Sequence, residues 1–228
     1  MKKLVILIVG IAMFGLLATA DCFAANQVNI SASAVIDNHS PEIDVTILKF
    51  TDGNPDNDPW TGSTEVSSMD FGTLVSSISG GGSSGLWYST AGFCVVIFTQ
   101  PYGKPYEVKS TCNGLVGQTT AATLPAGSFG LTPVYSADDE WQWDGGSAAQ
   151  GPMPAGASLG SAGPAIATDK LIYSSESGTA TARILQAYYG LPPYKAGGAD
   201  PHPGFEPIPL TQAPDTYTGT VTITISQK

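Results

Sequence analysis

The chain has 228 residues and a formal net charge of −10, only 12% of its residues are charged, and it carries 27 Gly and 17 Pro. Such an acidic balance opposes nucleic-acid binding, which needs a basic footprint, and gives no electrostatic pull toward anionic lipid. Abundant Gly, Pro, Thr, Ser and Val suits short strands joined by long loops better than amphipathic helices.

Residues 1–24 read as a secretory signal peptide. Lys2 and Lys3 precede an apolar run from Leu4 to Leu17, then small residues, with a cleavage site after Cys22-Phe23-Ala24. The run is shorter than the ~20 residues a spanning helix needs, and a retained anchor is the alternative. A lipoprotein signal would make Cys22 the first mature residue, but Asp21 stands before it, where such signals have a small uncharged residue. Cleavage removes two lysines and one aspartate, so the formal charge goes from −10 to −11. The expected localisation is secreted or cell-surface, reached through a bacterial periplasm. Residues 25–228 are then enough for a single β-sandwich domain with a sizeable core.

In chain order, Gln27 to Asp37 alternates, with Val28, Ile30, Ala32, Ala34 and Ile36 on one face. A second alternating run sets Ile43, Val45 and Ile47 against Asp44 and Thr46, and both runs predict strands. Turn residues fill Thr51 to Ser63. Ser68 to Leu74 is a short strand candidate, and a Gly/Ser break separates it from Leu86-Trp87-Tyr88.

Phe93 to Asn113 carries the strongest long-range signal. Cys94 and Cys112 are equally spaced about Gly103 within Pro101-Tyr102-Gly103-Lys104-Pro105. Folding the chain back there predicts an antiparallel hairpin with the two sulfurs opposite. Cys94, Val96 and Phe98 would share a face with Tyr106, Val108 and Cys112, and Val95, Ile97 and Thr99 would pair with Thr111, Lys109 and Glu107. An even cysteine pair in an oxidising compartment then implies a disulfide, contributing about 3 kcal/mol through the unfolded state. Two unrelated buried thiols are the alternative.

Further on, Gly145 to Thr168 and Pro192 to Pro214 are rich in Gly, Ala and Pro and read as exposed excursions near 145–168 and 192–214. Between them, Lys170 to Ser174 and Thr179 to Leu191 are strand candidates. The ending Thr216 to Ser226 is the cleanest strand signal, with Val221, Ile223 and Ile225 alternating with Thr. Short strands without a βαβ rhythm predict an all-β, antiparallel, immunoglobulin-like sandwich with long Gly/Pro-rich loops and one disulfide.

Enzyme signatures are missing from the sequence. There is no HExxH, paired CxxC, GxSxG, P-loop or GxGxxG, and His39 and His202 both lie in turn-like sequence. The expectation is a non-enzyme, although a hydrolase site assembled only in space leaves no linear trace. Asp52, Asn54, Asp56 and Asp58 place oxygen ligands at alternate positions, as a Ca²⁺ loop does; the other reading is a solvated turn. Trp141 and Trp143, flanked by acidic residues, would make a platform for a sugar ring or else close the end of a sandwich. Asn29-Ile30-Ser31 and Asn38-His39-Ser40 match the N-glycosylation pattern.

The N-terminal alternating strand can belong to its own sheet, or it can be donated into a neighbour by β-strand addition and build a head-to-tail filament. VNISASAVID with PEIDVTIL at the start, and DTYTGTVTITISQK at the end, resemble the colonisation-factor class of chaperone–usher pilins. The FGTL piece and the ending also resemble spore-coat-U-like secreted proteins. The pilin resemblance implies Ig-like subunits, with Val28, Ile30, Ala32, Ala34 and Ile36 as donor residues and Val221, Ile223 and Ile225 bordering the acceptor groove. It further implies other subunits of the same type, a periplasmic chaperone and an usher as partners. A monomeric carbohydrate- or calcium-binding sandwich is the alternative function.

Overall fold

The computed structural model describes residues 39–50, 63–77, 86–89, 91–135, 151–191 and 205–228, all within the unit His39–Lys228. Those residues are all-β apart from one 3₁₀ turn at Ala126–Ser128, and every pairing between strands is antiparallel. No helix among them is long and apolar enough to cross a membrane.

The chain runs β1 (Glu42–Phe50), β2 (Ser63–Val66), β3 (Val75–Ser77), β4 (Leu86–Tyr88), β5 (Gly92–Gln100), β6 (Tyr106–Cys112), β7 (Val116–Gly117) and β8 (Gly130–Tyr135). It continues with β9 (Ser158–Leu159), β10 (Gly163–Pro164), β11 (Ala167–Ser174), β12 (Arg183–Gly190), β13 (Ile208–Pro209), β14 (Tyr217–Thr218) and β15 (Val221–Gln227). A six-stranded sheet has the order β10-β8-β12-β5-β1-β2, and a four-stranded sheet has the order β15-β6-β11-β9. Two smaller sheets, β13-β4-β3 and β14-β7, complete the described structure.

The two larger sheets bury one core between them. Phe93, Val95 and Ile97 of β5, Leu131 of β8 and Leu185 and Ala187 of β12 meet Tyr106, Val108 and Cys112 of β6 and Ile172 and Tyr173 of β11. Branched and aromatic residues at alternate positions fit a pleated face of this kind. On the other face of the six-stranded sheet a second cluster forms from Leu48, Phe50, Cys94 and Val96. Both faces of β5 are therefore buried, which accounts for its near-continuous apolar sequence.

The predicted Cys94–Cys112 disulfide hairpin is not formed. Both cysteines are unbonded and buried. The symmetric spacing about Gly103 holds opposite residues together only if the two strands share a sheet. They do not, because both edges of β5 are occupied by β1 and β12, while β6 pairs with β11 and β15. The segment from Pro101 to Pro105 is a corner that carries the chain from one layer to the other. Tyr102 and Gly103 both take left-handed φ, 51° and 79°, and glycine makes the second of these cheap. Across the corner the faces are the reverse of those expected: Cys94 and Val96 point outward while Tyr106, Val108 and Cys112 point into the core. Tyr106 Oη lies 2.8 Å from Thr99 Oγ1, tying the two layers at that end. Burial pushes the Cys94 thiol up to about 12, against the opposing effect of hydrogen bonds to Tyr188 and Ala187.

Other expectations meet mixed outcomes. The alternating runs at 43–47 and 221–226 lie on β1 and β15, the strand candidate at 170–174 lies on β11, and that at 179–191 is a strand only over β12, Arg183–Gly190. Ser68 to Leu74 is not a strand. Asp70 Oδ1 accepts the Gly72 N–H at 2.9 Å, and the turn so made ends before β3. The described part of the stretch near 145–168 supplies β9, β10 and the fully buried Ala165. That near 192–214 supplies β13 with fully buried Ile208.

Candidate functional site

The two long-sided flanks of the layered body differ. At one, β8 and β9 lie against each other, and residues 157–167 close the gap. Ala165 N–H donates to Phe129 C=O at 2.7 Å, and Gly160 N–H donates to Ile172 C=O at 2.9 Å. Gly160 permits this approach: a Cβ there would stand 1.7 Å from the Leu171 carbonyl oxygen.

At the other flank β1 faces β15. β1 pairs with β5 along its whole length, but β2 covers its far edge only from Ile47 to Phe50. β15 pairs with β6 alone, in register from Val221 opposite Cys112 to Gln227 opposite Tyr106. Among the described residues, the far edges of β15 and of Glu42–Thr46 have no strand beside them. The side chains turned inward here are Ile43, Val45 and Ile47 on β1 and Val221, Ile223 and Ile225 on β15. Five of these six are half-buried against the core. Val45 is 43% exposed although its opposite neighbour Ile97 is fully buried. An inward valine left this open marks a seam that the described residues do not fill.

The lower end of the seam is fixed by the corner. Lys228 N–H donates to Pro105 C=O at 3.0 Å, holding the end of β15 there. Tyr102 stacks on His39 with ring centroids 4.8 Å apart and donates to Glu42 Oε2 at 3.0 Å. The hydrogen bond to Glu42 raises the Tyr102 pKa. Lys104 Nζ also donates to the His39 carbonyl. At the opposite end, Asp215 anchors the approach to β15. Its carboxylate accepts the backbone N–H groups of Thr119 (3.0 Å), Thr120 (2.6 Å) and Thr216 (2.7 Å) and the Thr120 hydroxyl (2.6 Å). The Thr120 side-chain bond and then these N–H groups hold the Asp215 carboxyl down to about 2. This clasp was missed from sequence. Its only linear trace is Asp215 before Thr216, a turn-forming pair that the strand pattern overshadows.

Of the sequence-predicted site residues, Val221, Ile223 and Ile225 are together on the seam. Val28, Ile30, Ala32, Ala34 and Ile36, the calcium-loop residues Asp52, Asn54, Asp56 and Asp58, and the platform residues Trp141 and Trp143 lie outside the described residues. Among the described residues no group of three or more His, Cys, Asp or Glu is placed to hold a metal ion. No protein-family model matches the sequence, and neither a curated protein nor a solved structure is similar to it.

Proposed function

We propose that this protein is an exported, non-enzymatic structural or adhesive subunit, a pilin-like immunoglobulin sandwich that joins other copies by β-strand addition along the β1/β15 seam. The observation that carries the reading is the exposure of Val45 beside two uncovered strand edges. An extended segment with alternating apolar side chains supplies what such a seam lacks: main-chain partners for the edges and branched residues for the gap. Val28, Ile30, Ala32, Ala34 and Ile36 of another copy have that pattern. β15 also departs from the usual protection of edge strands. It has seven residues, no proline and no charged side chain. A head-to-tail contact of this kind does not close, so the product is a filament. A periplasmic chaperone and an usher are the partners this assembly calls for, on the cell surface or on the way to it.

The test uses purified mature protein. Concentration-dependent oligomers that persist in denaturant are expected by size-exclusion chromatography and unboiled gel electrophoresis. Deleting Asn26 to Asp37 should abolish them while the remaining body keeps its unfolding transition. A truncated protein that unfolds as a monomer would instead assign that segment to its own sheet and end the proposal.

A further inference from the structure

The corner that ends β5 also grips the run-in to β1, and that grip bears on which chain fills the seam. Tyr102 holds φ at 51°, in the left-handed region where a side chain is strained, and it is 42% exposed. Glycine or asparagine makes such a turn with less strain, and an exposed ring adds little to the core. What Tyr102 touches instead is the chain at 39–42. Its ring stacks on His39 with centroids 4.8 Å apart, and its hydroxyl donates to Glu42 Oε2 at 3.0 Å. Two residues on, Lys104 Nζ donates to the His39 carbonyl. A strained residue kept at an exposed turn points to a task other than packing.

These contacts fix a direction. Glu42 lies opposite Gln100, and Tyr102 and Lys104 follow Gln100 in the corner. His39 is therefore held past the end of the sheet, on the β5 side of β1. The bare edge of Glu42–Thr46 is the opposite one. Pro41 fixes its own φ and keeps Ser40 extended, so neither supplies a reversal toward that edge. Length does not make the choice. Val28 to Asp37 is ten residues, about 33 Å when extended, and the seven residues of β15 span about 23 Å. The segment is long enough to line the seam of its own chain. A segment tied to that seam by a short linker faces it at about millimolar effective concentration, roughly a thousandfold above a micromolar partner, unless geometry forbids the contact. Resting on the strand-addition reading above, we propose that Tyr102 and Lys104 are positioning residues that turn the N-terminal segment away from its own seam and reserve it for a second copy. The donor's apolar pattern fits both seams alike, so the grip at the corner selects the partner.

The test uses the purified mature protein with Tyr102→Asn and Lys104→Met together; asparagine accepts the left-handed turn without the ring. The variant should melt no lower than the wild type, yet need about a hundredfold more protein for half assembly in size-exclusion chromatography. Its monomers, closed on themselves, should refuse a fluorescent peptide of residues 26–37 that freshly diluted wild-type monomers take up. A folded variant that assembles at wild-type concentrations overturns the proposal and leaves strand addition standing. So do variant monomers that bind the peptide, because their seams are open. A wild type that neither assembles nor binds the peptide removes strand addition itself, and this inference with it. Should the double variant lose its thermal transition, Lys104→Met alone gives the same readouts, with a shift in the same direction expected and no shift overturning the proposal.

Discussion

The two flanks of this body are built from the same kinds of residue and end differently. On the β8/β9 side a strap of small residues, 157–167, crosses the gap, and Phe129, Leu131, Ala165 and Ile172 are at most 1% exposed. On the β1/β15 side six branched apolar side chains point inward, but no comparable strap crosses them among the described residues, and Val45 is left 43% exposed. A sandwich flank is therefore sealed by the chain that crosses it, and not by the hydrophobicity of its strands. Sealed and unsealed flanks should answer substitution differently.

The largest effect is expected on the sealed side. Ile172→Ala removes a fully buried side chain and should cost about 2–5 kcal/mol in urea unfolding. Next is Gly160→Ala. Its new Cβ must displace the Leu171 carbonyl, an overpacking that should cost about 1–3 kcal/mol by the same measurement. Asp215→Ala removes the clasp before β15 and should lower Tm by about 2–4 °C at neutral pH. Because folding lowers this carboxyl from 3.8 to about 2, its contribution is present above the unfolded value and is lost as pH falls through about 2. Thermal melts between those limits should show the wild type losing the advantage that the variant never had. On the unsealed side Val45→Thr should change the stability of the isolated subunit by less than about 0.5 kcal/mol while weakening its oligomers. A large stability loss there would mean the seam is already filled within one chain. The smallest effect is none: reductant should leave Tm unchanged, since Cys94 and Cys112 are unbonded.

Much of the strand content could be read directly. Period-two alternation marks one buried and one wet face, and β15 has that pattern because it borders the core on one side only, whereas β1 alternates over Ile43 to Ile47 and then buries Leu48 and Phe50 on its other face. The pairing of layers was not legible. The apolar run of β5 and the alternation of β6 are compatible with a hairpin, and only tertiary competition shows that β1 and β12 take both edges of β5. Likewise the glycines and alanines after residue 150 looked unable to bury much surface. Their smallness is what allows Gly160 to approach Leu171 closely and Ala165 to reach Phe129. For the candidate site, the inward faces of both bordering strands were visible in the sequence, whereas the gap between them depends on which edges remain uncovered.

The corner at Pro101 to Pro105 also governs timing. Because it sends consecutive strands to opposite layers, β6 meets no neighbour until residues 167–174 and 221–227 arrive. Loop closure over such separations must precede any reward, which makes the folding of this body slow and concerted. A chain delivered stepwise from its N-terminus would thus leave β6 unpaired until residues 167–174 follow, and one edge of it bare until residues 221–227 do. Such a delay prolongs the interval in which a holding factor could engage it.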